Sequence, residues 1–103
     1  MSLEVTDDML NDITTKEGIV LLDFYADWCQ PCKVYSPIIE EFSKEVSDIF
    51  IGKVNIDLHN KFTLKYGIRS IPTTIIFKNG ELMKKIPGVM QKNKLHDLVE
   101  HLR

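Results

Sequence analysis

The only two cysteines in the chain stand three residues apart, in Cys29-Gln30-Pro31-Cys32. At that spacing both sulfurs lie on one side of a single helical turn, within reach of each other. A strand-like apolar run precedes the pair and a helix-like pattern follows it, so it falls at a strand-to-helix junction. A helix start carries unpaired N–H groups and a partial positive charge, and both stabilise a thiolate. With Cys29 near the N-cap, its sulfur is placed to accept a hydrogen bond from the Cys32 N–H, which also favours the thiolate. A free cysteine titrates near roughly 8.5, and such settings lower that value. Pro31 falls in the first turn, where its missing N–H costs nothing and its fixed φ stiffens the turn. This arrangement predicts an exposed Cys29 that attacks and a deeper, shielded Cys32 that resolves. The chemistry is that of a dithiol reducing disulfides in other proteins.

Two other uses of the pair are weighed against this one. A zinc site needs four ligands, and His59, His96 and His101 have no ligand spacing to the cysteines, so no metal is expected. Two inert buried cysteines are the other alternative; Trp28 before the pair and Pro31 within it favour a shaped site. A structural staple this short would remove little entropy from the unfolded chain.

The elements that position the pair follow from periodicity. Leu3 to Val5 reads as a short edge strand, and Thr6 as the N-cap of a helix with Asp7 and Asp8 in its first turn. Met9, Leu10 and Ile13 give that helix an apolar face, and Gly18 is expected to stop it. Ile19 to Ala26 is apolar apart from Asp23, as in a central strand covered on both faces. Cys29 then opens a helix to about Val46. Val34, Ile38 and Phe42, with Tyr35, Ile39 and Val46, form its wide apolar face, and Pro37 is expected to kink it. Ile49 to Ile56 is the next strand, and Asn60 to Tyr66 a short helix ended by Gly67. Thr73 to Phe77 and Leu82 to Ile86 are strands joined by Asn79-Gly80, a strong hairpin signal. Leu95, Leu98, Val99 and Leu102 mark an amphipathic last helix. The order is βαβαβ, then the short helix and ββα, a mixed sheet with helices on both faces.

Length and charge narrow the function classes. A chain of 103 residues with 44% hydrophobic content fits one domain, residues 1–103, with one core. The net charge of −2 leaves no electrostatic footprint for nucleic acid or an anionic membrane. No apolar run approaches the roughly 20 residues of a membrane helix. The start, Met1-Ser2-Leu3-Glu4-Val5, lacks a basic stretch and an apolar core, so no export signal is expected and a cytoplasmic location is. In that compartment disulfides are usually transient and catalytic.

Trp28-Cys29-Gln30-Pro31-Cys32-Lys33 resembles the active-site signature of the thioredoxin family, which usually reads WCGPCK. The likeness extends over nearly the whole chain. Val20 to Ala26 resembles the strand leading into the site, and Lys53-Val54-Asn55-Ile56-Asp57 the third strand. Tyr66 to Thr73 resembles the segment carrying the cis-proline, and Phe77 to Gly80 the hairpin. The resemblance implies the thioredoxin fold and protein-disulfide reductase activity. It implies Cys29 as nucleophile and Cys32 as resolving thiol, with no cofactor beyond this pair. It also implies a monomer that acts on disulfide-containing target proteins and is re-reduced by a thioredoxin reductase.

Supporting residues have readings of their own. A carboxylate among Leu21, Leu22 and Phe24 is costly to bury unpaired. Burial raises the Asp23 pKa and makes it a proton acceptor for Cys32; the alternative is a strand residue reaching solvent at an edge. The resemblance favours the proton-transfer role and implies that Lys53 tunes Asp23. From sequence alone the Ile71-Pro72 bond is trans by default. The resemblance implies a cis bond, which would leave the Ile71 backbone free to pair with an extended target segment. By the same comparison Trp28, Pro31, Ile71, Pro72, Gly88 and Val89 form an apolar docking patch around Cys29. Three departures stand out. Gln30 replaces the usual glycine and adds a polar group at the docking surface, where it tunes redox poise. Tyr25 stands where many members have a second tryptophan, and Pro87 where valine is common. Gln30 motivates a competing function, an oxidase or isomerase with the opposite electron flow. A non-enzymatic binding subunit is a third reading, and the intact cysteine pair argues against it.

Overall fold

The run from Ile19 to Tyr25 forms a strand whose residues are buried on both faces, as its unbroken apolarity predicts. The structure, a computed structural model, describes residues 2–103. Met1, part of the segment read for an export signal, lies outside the described residues. In chain order the elements are β1 (Leu3–Glu4), a 3-10 turn (Asp7–Met9), α1 (Leu10–Thr14), β2 (Ile19–Tyr25), α2 (Gln30–Glu45), β3 (Phe50–Asn55), α3 (Asn60–Lys65), β4 (Thr73–Lys78), β5 (Glu81–Pro87) and α4 (Lys92–Leu102).

The five strands make one mixed sheet in the order β1-β3-β2-β4-β5. The central β2 runs parallel to β3 and antiparallel to β4. Alternation along β2 divides its side chains between two cores. Ile19 and Leu21 meet Tyr35, Ile39 and Phe42 of α2 and Leu95, Val99 and Leu102 of α4. Val20, Leu22 and Phe24 meet Ile13 of α1 and Phe62 of α3. Helices therefore cover both faces. Asp23 shares the face of Ile19 and Leu21, which is the α2 side. The β4–β5 hairpin turns on Asn79 and Gly80, at φ values of 51° and 83°. Positive φ at both central residues is what a tight, correctly twisted hairpin requires.

Three details differ from the sequence reading. The first helix begins as a 3-10 turn and ends at Thr14, not at Gly18. The Thr14 and Thr15 hydroxyls donate to the carbonyls of Leu10 and Asn11, four residues back, which weakens further helix growth. Gly18, at φ 85°, instead exchanges hydrogen bonds with Asn79: its N–H donates to Oδ1 at 2.8 Å, and its carbonyl accepts from the Asn79 N–H at 2.9 Å. Val34 is 54% exposed, because the buried stripe of α2 runs through Cys32, Tyr35, Ile39, Phe42 and Ser43. Among the described residues no helix is long and apolar enough to cross a membrane.

Candidate active site

Cys29 is the N-cap of α2, extended at φ −89° and ψ 111°, and Pro31 lies in the first turn. The Cys32 N–H donates to Cys29 Sγ at 3.2 Å, the bond that the spacing predicts. The two cysteines are joined as a disulfide, with Cα atoms 5.3 Å apart. Gln30, Pro31, Cys32 and Lys33 place no carboxylate in the first turn, so the positive helix end is left open to a thiolate.

The predicted difference in exposure between Cys29 and Cys32 is corrected. Cys29 and Cys32 are each 4% exposed. The Cys29 side chain, bonded to Cys32, packs in a small cluster with Ala26 against Tyr25, Ile56 and Ile71. Cys29 Sγ lies 3.8 Å from the Ile71 carbonyl oxygen. In this oxidised form the asymmetry resides in the helix N–H that Cys29 Sγ receives, not in accessibility.

Asp23 is 1% exposed on the central strand, which removes the edge-strand reading. Its Oδ1 has no hydrogen-bond partner among the described residues. Burial pushes its pKa up to about 7, the Lys53 charge pulls it down, and the Glu4 charge adds to the rise. A cavity of about 180 Å³ is lined by Asp23, Cys32, Lys53, Ser36 and Tyr25 and opens to solvent. The acid and the second sulfur thus share one small space. Beside them, the Tyr35 hydroxyl hydrogen-bonds Thr74 Oγ1 at 2.7 Å, and burial raises its pKa to about 12.

Lys53 is paired with Asp23 across β2 and β3, as the resemblance implies. Its ammonium does not form an ion pair with Asp23 among the described residues. It donates to Ser36 Oγ at 3.0 Å and lies 4.8 Å from the centre of the Tyr25 ring. The Tyr25 hydroxyl donates to Glu4 Oε1 at 2.7 Å.

Around Cys29 stand the residues expected at the docking surface. Trp28 is 69% exposed, and its indole N–H donates to Asp57 Oδ2 at 2.9 Å. Gln30 and Pro31 are exposed on the first turn of α2. The Ile71-Pro72 bond is cis, with Pro72 buried and Ile71 half-buried. The Gly88 N–H donates to the Pro72 carbonyl at 2.8 Å, which brings Gly88 and the exposed Val89 to the proline segment. Sequence reasoning missed Ser36, Asp57 and Glu4. Ser36 had a signal, since it lies four residues after Cys32 on the same helix face. Glu4 and Asp57 had none, because their partners are set by strand pairing and loop path.

Among the described residues no group of three His, Cys, Asp or Glu is placed to hold a metal. A family model described as Thioredoxin matches residues 2–101. A thioredoxin of Rickettsia bellii is 44% identical over 103 residues, covering 98% of each chain. A thioredoxin of Chlamydia caviae is 46% identical over 82 residues, covering 80% of each. Among solved structures, a mutant thioredoxin from Halobacterium salinarum NRC-1 superposes with a TM-score of 0.87 at 35% identity, over 97% of this chain and 88% of that one.

Proposed function

The chain belongs to the thioredoxin family, and from that premise we propose that it works as a single-domain, monomeric, cytoplasmic reductase of protein disulfides. It is a dithiol–disulfide oxidoreductase whose redox group is the Cys29–Cys32 pair, built into the protein itself. The observation that carries the proposed site is the shared cavity: Cys32 and a buried, protonatable Asp23 line the same small space.

In the reduced protein the Cys29 thiolate, favoured by the Cys32 N–H and the helix end, attacks one sulfur of a target disulfide. A Cys29–target disulfide forms, and the departing target thiolate takes up a proton. Asp23 accepts the Cys32 proton as Cys32 attacks Cys29 Sγ, and Lys53 tunes that acid. The mixed disulfide breaks, the second target sulfur leaves, and the internal disulfide results. Two electrons have passed to the target. A thioredoxin reductase returns two electrons to the pair, and no other cofactor is needed. Trp28, Gln30, Pro31, Ile71, Pro72, Gly88 and Val89 form the surface on which an extended target segment docks, with the Ile71 backbone as its pairing edge.

Insulin reduction coupled to a thioredoxin reductase tests this. Wild type should turn over, Cys29→Ser should be inactive, and Cys32→Ser should accumulate as a mixed disulfide with its target. Full activity in Cys29→Ser would overturn the assignment.

A further inference from the structure

Lys53 stands opposite Asp23 in the β2–β3 register. Partners in a parallel pair project their side chains to the same side. An ammonium at that position has an obvious acceptor in Asp23 Oδ1, which is buried and lacks a hydrogen-bond partner among the described residues. The ammonium goes elsewhere. It donates to Ser36 Oγ at 3.0 Å, one helical turn beyond Cys32, and rests 4.8 Å from the Tyr25 ring centre. Tyr25 is in turn anchored by its hydroxyl to Glu4 on the edge strand.

We propose that Ser36 is a positioning residue: with the Tyr25 ring it holds the Lys53 ammonium away from Asp23, so that the carboxyl is free of an ion pair and open to the Cys32 proton. The functional half of this rests on the base role given to Asp23 above; the geometric half does not. An ammonium in contact with Asp23 would lower its pKa by about one to three units. The carboxylate would then be ionised well below neutrality, but too weak a base to draw a proton from a thiol efficiently. Without the Ser36 hydroxyl, the ammonium loses its hydrogen bond, and the Asp23 carboxyl, which lines the same cavity, is an acceptor open to it. The other ionisable groups around Asp23 are Glu4 from β1, Tyr35 and Lys33 from α2, Tyr25 at the end of β2 and Asp27 in the loop that follows it. All of them are retained in the variants below.

The test is a pH titration of the Asp23 side-chain carboxyl by carbon-13 NMR, on the full-length oxidised protein. Ser36→Ala should lower the Asp23 midpoint by about one unit, a tenfold loss of proton affinity, and Ser36→Thr, which keeps a hydroxyl, should restore it. Lys53→Met should raise the midpoint, and adding Ser36→Ala to Lys53→Met should change nothing further. An unchanged or raised midpoint in Ser36→Ala, or a shift that persists in the Lys53→Met background, overturns the proposal. The rate at which Cys32 resolves a preformed mixed disulfide, followed against pH, reads the functional half. Ser36→Ala should slow it near neutral pH. If Asp23→Asn leaves that rate untouched, the base role fails, while the NMR midpoints still decide whether Ser36 places Lys53.

Discussion

Asp23 is where chemistry and stability oppose each other most directly. Its pKa is raised from an ordinary 3.8 to about 7, chiefly by burial. Between those values the folded chain holds a proton that the unfolded chain has released. Stability from this group is therefore complete below about pH 4, declines as pH rises, and is lost above about pH 7. Three pH units correspond to about 4 kcal/mol. Asp23→Asn should flatten the fall in stability between pH 4 and 7 and make the protein more stable than wild type at pH 8, read by urea denaturation across pH. The same variant should slow the resolving step. At the other end of the site, Gln30→Glu places a carboxylate in the first turn of α2, where the native sequence has none. Repulsion should raise the pKa of the reduced Cys29 by about half a unit, measured from the pH dependence of alkylation. Equilibration of wild type with a glutathione buffer gives the direction of electron flow. A strongly oxidising potential would replace the reductase reading with that of an oxidase or isomerase.

At the scale of elements, α2 shows how far local pattern reaches. Its start at Cys29, the early proline and the buried Tyr35, Ile39 and Phe42 were legible, because caps and helical spacing act within a few residues. Val34 was not: helical spacing defines a face, but its width depends on what packs against it. Strand β3 carries a constraint that periodicity hides. A Cβ on Gly52 would lie 2.6 Å from Val5 Cγ2, 3.0 Å from Phe50 Cε1 and 3.1 Å from Leu22 Cδ2. Gly52→Ala should destabilise the fold by about 1–3 kcal/mol through overpacking, seen as a lower urea midpoint. Because the closest contact is to Val5, just after β1, the edge strand should yield first, with faster amide exchange there than in β2.

For the whole molecule, the sheet order gathers the site from distant parts of the chain. Phe24 near the end of β2 pairs with Thr73 at the start of β4, and Thr73 pairs with Pro87 at the end of β5. The Cys29 cap, the Ile71-Pro72 bond and Gly88 therefore meet at one end of the sheet. The opposite duty falls to α4, whose Leu95, Val99 and Leu102 close the core beneath α2. Leu95→Ala should cost about 2–5 kcal/mol in denaturation, yet leave the Cys29 pKa unchanged, since α4 supplies no polar atom to the thiol site.

Residue types and their spacing were enough for the dithiol at a helix start, the hairpin at Asn79-Gly80 and the order of elements, and they marked Asp23 as an acid in an apolar strand whose burial the sheet order settled. Each of these depends on a few neighbouring residues and on side-chain type. Folding in three dimensions was needed to settle that Lys53 bonds Ser36 instead of Asp23, that Cys29 is as buried as Cys32, and that Glu4 anchors Tyr25. Those outcomes are competitions among acceptors and packing surfaces far apart in the chain, and strand register sets which competitors meet.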